Sequence, residues 1–363
     1  MMKEIKVPAD ETHLSEIPAK VLVQQTAFLG DLILTLPLIQ AARDVWPEAQ
    51  IWVLTIPGTA EILEGHPAVS DTLIYDKRGG ESGLPGLLRK ARQLRQMSFD
   101  LTLVPHRSLR SALLCRIAGI PRRIGFRAGA AALLFTQVVS RRRDVHEVER
   151  NLDLLRALNL NFTSSAPEIF PGQAQRQQAG DFLNRHGVRP DQDLVGVAPG
   201  SVWPTKRWSP DGFARVIQTL REGGGARAVL LGGAKDEGLC RQIAQLSGGD
   251  VPVAAGRLSP LAAAAVMEQC RVVVSNDSAA AHLAAAVSRP VVAIFGPTVP
   301  EFGFAPYGDG HLIIQVEVEC RPCGIHGGRR CPQQHFSCMD EITPEKVLQA
   351  IHTVLDRSEG EES

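Results

Sequence analysis

Apolar residues recur along this chain in two alternating rhythms. A short apolar run over 21–26 ends at Gly30 and Asp31, after which Leu32, Leu36, Ile39 and Ala42 repeat at helical spacing. This predicts strand, turn, helix. The rhythm returns with strands expected over 51–55, 71–75 and 101–105, and an amphipathic helix over 84–97. A helical pattern follows over 145–158, and a turn-rich stretch over 159–172 then breaks the periodicity. A second series predicts strands over 194–198, 226–231, 271–275 and 291–295, with helices over 210–221, 236–246 and 278–287. Units that alternate in this way build parallel sheets covered by helices, so the expected architecture is α/β, two doubly wound halves facing across a cleft. The expected division is a polar leader over 1–20, a first domain over 21–165, a second over 166–342, and a C-terminal helix with a polar tail over 343–363.

Length agrees with this division, because 363 residues exceed the roughly 150 of one ordinary domain and suffice for two cores. Hydrophobic residues at 44% and charged residues at 21% exclude a disordered polymer or a collagen-like repeat. Lys plus Arg equals Asp plus Glu at 39 each, so the molecule carries no overall charge to attract nucleic acid. Basic character is local: ten arginines against three acidic residues lie between His106 and Arg150. The opening MMKEIKVPADETHLSEIPAK lacks the apolar core of a secretory signal, and no later stretch has the apolar length of a membrane span, which leads to a cytoplasmic expectation. Seven cysteines in so long a chain make no disulfide scaffold, although Cys320, Cys323, Cys331 and Cys338 cluster as C-x2-C-x7-C-x6-C, with His326 and His335 among them.

In open α/β sheets ligands bind at the carboxyl ends of strands, where helix N-termini present unpaired N–H groups. Asp31, with Gly30 before it, opens the helix after the first strand and can accept a proton from a bound hydroxyl; an N-cap aspartate is the alternative. The loop 199–208 joins Ser201, Thr205 and the cations Lys206 and Arg207 to two tryptophans. It can hold a phosphate, although it lacks Walker A spacing. Asp277 and Ser278 start a further helix, with His282 four residues beyond Ser278 on the same face. Glu237 follows the strand over 226–231 and can bind a ribose or base. Each has a structural alternative as a helix cap, a satisfied histidine or a solvated charge. No G-x-G-x-x-G follows the first strand, which weighs against a Rossmann oxidoreductase.

Three segments carry a resemblance: QTAFLGDLILTLPLIQAARDVWPEAQIWVL, VAPGSVWPTKRWSPDGFARVI and VVVSNDSAAAHLAAAVSRPVVAIFGPT. In order and separation they resemble the signature regions of the glycosyltransferase family 9 heptosyltransferases. That resemblance implies the GT-B architecture, with the acceptor on the first Rossmann-like domain and the nucleotide sugar on the second. It implies inverting transfer of L-glycero-D-manno-heptose from ADP-heptose to the lipopolysaccharide inner core, with no metal required. By motif, Asp31 matches the general base and Lys206 the donor-phosphate lysine. Glu237 matches a nucleotide contact, and Asp277, Ser278 and His282 match the Asp-Ser/Thr-Gly-x-x-His region, in which Ala279 replaces the usual glycine.

Ser201 and Thr205 join the donor-binding set. The basic first half then meets an acidic lipid A-Kdo/heptose acceptor, with Gly30, Arg107, Arg110, Arg122, Arg123 and Arg127 as acceptor-binding candidates and a peripheral contact with the cytoplasmic face of the inner membrane. The expected state is a monomer. A structural zinc at Cys320, Cys323, Cys331 and Cys338 is an open reading of the thiol cluster, beside reduced thiols in a packed loop. Two alternatives stand: a GT-B transferase using another nucleotide sugar for a cell-surface glycan, and a non-catalytic nucleotide-sugar-binding module.

Overall fold

The computed structural model describes residues 17–189, 191–223 and 226–361. The expected polar leader lies outside the described residues as far as residue 16. Strands β1 (Lys20–Gln24), β2 (Gln50–Thr55), β3 (Asp71–Ile74), β4 (Leu101–Val104), β5 (Arg122–Phe126) and β6 (Gln137–Val139) form one sheet in the order β3-β2-β1-β4-β5-β6. With it go α1 (Leu29–Ile33), α2 (Leu36–Val45), α3 (Gly83–Gln96), α4 (Leu109–Ile117) and α5 (Glu147–Arg156). After α6 (Gln173–Arg185), a second sheet takes β7 (Asp193–Ala198), β8 (Ala226–Leu230), β9 (Val272–Asn276), β10 (Val291–Ile294) and β11 (Leu312–Ile314) in the order β11-β10-β9-β7-β8. Its helices are α7 (Pro210–Glu222), α8 (Glu237–Leu246), α9 (Pro260–Met267), α10 (Ala279–Ala286), α11 (Ser337–Asp340) and α12 (Pro344–Glu361). Every strand pairing in both sheets is parallel.

Continuous apolar strands make this arrangement stable. Val21, Leu22 and Val23 of β1 and Val272, Val273 and Val274 of β9 are all fully buried, so side chains leaving both faces of each strand meet apolar cover. Strand order reverses at β1 in the first sheet and at β7 in the second, and residues from the loops at both reversals line one cavity.

The expected helix over the Leu32–Ala42 pattern is two helices. Pro37 lacks the N–H that a continuous helix would need, and it sits in the first turn of α2, where that donor would have no partner anyway. The arginine-rich middle, read from sequence without elements before residue 145, holds α4, β5 and β6. Among the described residues no helix is long and apolar enough to cross a membrane.

The two halves are joined by polar contacts as well as by packing. Arg150, 2% exposed, pairs with Glu147 (Nη1–Oε2, 2.9 Å) and donates to the carbonyls of Phe302 (2.8 Å) and Arg143 (2.8 Å). The N–H of Glu147 donates to Gly303 O (2.8 Å), and the His146 ring nitrogen Nε2 bonds Ala305 O (2.8 Å). Gly303 has φ +83°, and a Cβ there would lie 2.6 Å from Val145 O, so this junction requires glycine. Removing a buried cation strands its partners, and Arg150→Ala is expected to lower unfolding free energy by about 3 kcal/mol in denaturant titration, far more than a surface arginine would.

Candidate functional site

The loop after β1 is pinned before the cleft is reached. Gln25 Nε2 donates to Thr35 Oγ1 (3.0 Å), and the Thr35 hydroxyl donates to the backbone carbonyl of Asp31 (2.7 Å). Asp31 is therefore held at the first turn of α1, where its Oδ2 accepts the Phe28 N–H (3.1 Å). Burial pushes its carboxyl above the ordinary value of 3.8, opposed by the Phe28 N–H and by the charges of His326 and Arg141. The capping role and the position in the cleft belong to the same side chain.

On the opposite wall, the loop after β7 is stapled to β9 by one amide. Asn276 Nδ2 donates to Pro199 O (2.8 Å), and Asn276 Oδ1 accepts the Trp208 N–H (3.1 Å). Arg207 curls the loop by donating twice to Ser201 O (2.9 and 2.6 Å). Gly200 leaves room for the neighbouring loop, because a Cβ there would stand 2.4 Å from the Asp236 carboxyl carbon. Lys206 ends a 3-10 turn over Pro204–Lys206, and its buried ammonium lies 2.5 Å from Asp277 Oδ2, which also accepts the Thr298 hydroxyl (2.6 Å). Asp277 thus holds the lysine as well as facing the cleft.

Ser278 caps α10, accepting the Ala280 N–H (3.4 Å), and Ser278 and Ala279 at the start of that helix line the same space. His282, one turn on, is 6% exposed; burial pushes its imidazole down to about 4, so it is neutral at physiological pH, and its Nδ1 is buried without a hydrogen-bond partner. Gly30 makes the approach of the two walls possible. A Cβ there would lie 3.2 Å from His282 Cδ2 and 3.7 Å from the Ala279 methyl, so space absent at residue 279 is present at residue 30.

These groups meet around two adjoining cavities. One, of about 180 Å³, is lined by Gly30 and Asp31 from the first half and by Ser201, Lys206, Asp277, Ser278 and His282 from the second. The other, of about 380 Å³, shares Ser201 and Ser278 and continues over Gly232, Gly233 and Asp236 to the apolar face of α9. Its size suits a nucleoside.

Other expected residues are placed elsewhere. Thr205 does not reach the cleft, because its hydroxyl is committed to the backbone of Gly328 (3.0 and 2.7 Å). Glu237 pairs with Arg241 (2.6 Å) outside the lining of the larger cavity, where Lys235 and Asp236 stand instead. Arg110 is bound to Tyr75 Oη (2.7 Å) and to the carbonyls of Glu81 and Gly83, and Arg123 to those of Ile120, Pro121 and Leu134. Both close loops, and carbonyl capping leaves them little to offer a ligand. Arg107 and Arg127 are exposed, and Arg122 is half-buried. Thr298, Phe302 and Phe304 line the smaller cavity without having been expected; the rule of looking after strand ends would have found the loop after β10.

The cysteines divide into two groups. Burial pushes the thiols of Cys115, Cys240 and Cys270 up to about 12, which makes them unreactive. Cys320, Cys323, Cys331 and Cys338 line a third cavity of about 80 Å³. Among the described residues no group of three or more His, Cys, Asp or Glu is set to hold a metal ion, so the zinc reading gains no support.

Comparison with known proteins agrees with this arrangement. The model of "Glycosyltransferase family 9 (heptosyltransferase)" matches residues 87–330. Lipopolysaccharide heptosyltransferase 2 of Escherichia coli K12 is 25% identical over 354 residues, covering 94% of this chain and all of that protein. The crystal structure of a family 9 glycosyltransferase from Veillonella parvula superposes with a TM-score of 0.85 at 23% identity, covering 93% of this chain and 98% of that one. The structure of E. coli ADP-heptose lipopolysaccharide heptosyltransferase II gives 0.77 at 24% identity, covering 94% and 99%. With two parallel-sheet Rossmann-like lobes facing across a cleft in the GT-B manner, and with its family model matched over two thirds of its length, this chain belongs to glycosyltransferase family 9.

Proposed function

We infer that the chain is an inverting transferase that moves L-glycero-D-manno-heptose from ADP-heptose to the lipopolysaccharide inner core, binding acceptor on 21–165 and donor on 166–342. One observation carries the reading: a carboxylate from one lobe and a buried lysine beside a helix N-terminus from the other line a single cavity of about 180 Å³. That arrangement suits a single displacement. Asp31 takes the proton of an acceptor hydroxyl as its oxygen attacks the anomeric carbon, and ADP departs on the opposite side. Lys206, the Ser278 hydroxyl and the first amides of α10 stabilise charge growing on the diphosphate through fixed dipoles and one cation, so the step calls for no metal. Adenosine occupies the larger cavity, against α9. His282, neutral and with an unpartnered Nδ1, offers a hydrogen bond without adding charge.

The acceptor is anionic, and exposed Arg107 and Arg127 suit it; the protein works as a monomer on the cytoplasmic side, touching the inner leaflet peripherally. Leu133, 86% exposed in the same half, supplies an apolar point of contact. Transfer assays with purified protein test the reading directly. Turnover of ADP-heptose on a truncated inner-core acceptor supports it, and exclusive use of a UDP or GDP sugar overturns it.

Asp31→Asn is expected to lower kcat by roughly 10²–10⁴-fold. A carboxyl whose folded pKa exceeds its unfolded one contributes stability below the unfolded value and loses it as pH rises through the folded value. Ionised Asp31 is then a cost at neutral pH. The same variant should melt at a higher temperature than wild type at pH 7, while the acid limb of wild-type kcat/KM lies above the ordinary aspartate value of 3.8. Lys206→Met should cut kcat/KM by roughly 10²–10³-fold and weaken ADP binding in calorimetry. Co-sedimentation with vesicles containing anionic lipid should fall as salt rises, and should fall further with Arg107→Glu and Arg127→Glu.

A further inference from the structure

The loop over 320–338 bears neither the proton-accepting carboxylate nor the phosphate lysine, although the charge of its His326 favours the ionised form of Asp31, and it forms part of the cleft wall. Its start is tied to the strand ends: Arg321 Nη2 donates to Thr298 O (2.8 Å) and Gln315 Oε1 (2.9 Å), and the Cys323 N–H donates to Pro297 O (2.9 Å). Farther on, the Gly328 N–H donates to Thr205 Oγ1 (2.7 Å), while Gly328 O accepts from the Thr205 hydroxyl (3.0 Å) and backbone N–H (3.2 Å). Between these ties, Gly327 lies against the turn that carries the lysine. A Cβ there would stand 2.7 Å from Trp203 Cβ and 2.8 Å from Lys206 Cγ.

The loop itself carries four cysteines. Cys320, Cys323, Cys331 and Cys338 surround the cavity of about 80 Å³, with His326, Gly327 and Gly328 also in its wall. His326 faces two ways, because it also lines the cleft cavity that holds Asp31, and Ile325 beside it is 57% exposed in that same wall. An isoleucine held at a cavity mouth by a loop tied at both ends is a surface waiting for an apolar contact.

In a displacement with inversion, the group being transferred must lie between the entering oxygen and the departing phosphate. Asp31 marks the first and Lys206 the second. No residue of the loop lines the larger cavity assigned to the nucleoside. We propose that Ile325 and His326 form a wall of the subsite for the transferred glycosyl group, His326 bonding its hydroxyls and Ile325 covering a carbon face, so that the cysteine-rich loop reads the sugar rather than the nucleotide. Imidazole suits this task, since one ring offers both a donor and an acceptor to a polyol. The proposal rests on the transferase reading above.

The test compares His326→Ala, His326→Gln and Ile325→Ala with wild type in the full chain, measuring ADP affinity by calorimetry and kcat/KM with ADP-heptose. His326 is exposed, so its variants are expected to fold. His326→Ala should lower kcat/KM by about 10- to 100-fold while ADP affinity stays within about twofold, and His326→Gln should recover part of the loss. Ile325→Ala should show a smaller loss of the same kind. A His326→Ala enzyme with unchanged kcat/KM, or one that loses ADP and ADP-heptose affinity alike, overturns the proposal. Wild-type protein that binds no ADP overturns the donor reading, and this wall with it.

Discussion

The buried pair of Lys206 and Asp277 is the constraint around which the site is organised. Stripping two ions of water costs several kcal/mol each, a cost recovered only when the geometry is close and the remaining lone pairs are satisfied. The geometry is close: the ions stand 2.5 Å apart, and the carboxylate oxygen that meets the ammonium also accepts the Thr298 hydroxyl. Held in this way, the ammonium is already desolvated and aimed before any anion arrives, so little reorganisation remains for the moment when charge develops. Gly327 serves the same end, because a methyl there would collide with Trp203 and Lys206 in the lysine turn itself.

A second constraint couples the lobes. Gly30 lets α1 approach the start of α10, which brings Asp31 and the Ser278 cap to one cavity. The junction of Arg150, Glu147 and the carbonyls of 302–305 anchors α5 to the opposite lobe. An aspartate whose carboxyl is raised by burial is tolerable in such a setting because its base function needs the same water-poor surroundings that make it costly. Stability and function compete at this residue, and the arrangement favours function.

Much of this was legible in the chain. Apolar runs of four to six residues followed by helical periodicity located eight of the eleven strands to within a residue or two, because strands buried on both faces must be continuously apolar. What escaped had physical reasons. α9, PLAAAAVM, is apolar all round and has no polar face to reveal its period, while α6 is polar enough to resemble a loop. β6 and β11 are edge strands of three residues. Arginines 110 and 123 read as a basic surface because sequence does not show which carbonyls a guanidinium will reach.

The order of residues by itself determined the α/β class, the two halves and the small loops in which chemistry would lie, since local periodicity and the residues after strands depend on near neighbours alone. Tertiary structure decided which of those residues share a space. Thr205 and Glu237 sit in the right loops but line neither cleft cavity, while His326, more than 290 positions from Asp31, stands in the same wall. The reason is that a side chain's partner is set by the packing of distant segments, and spacing along the chain carries no record of it.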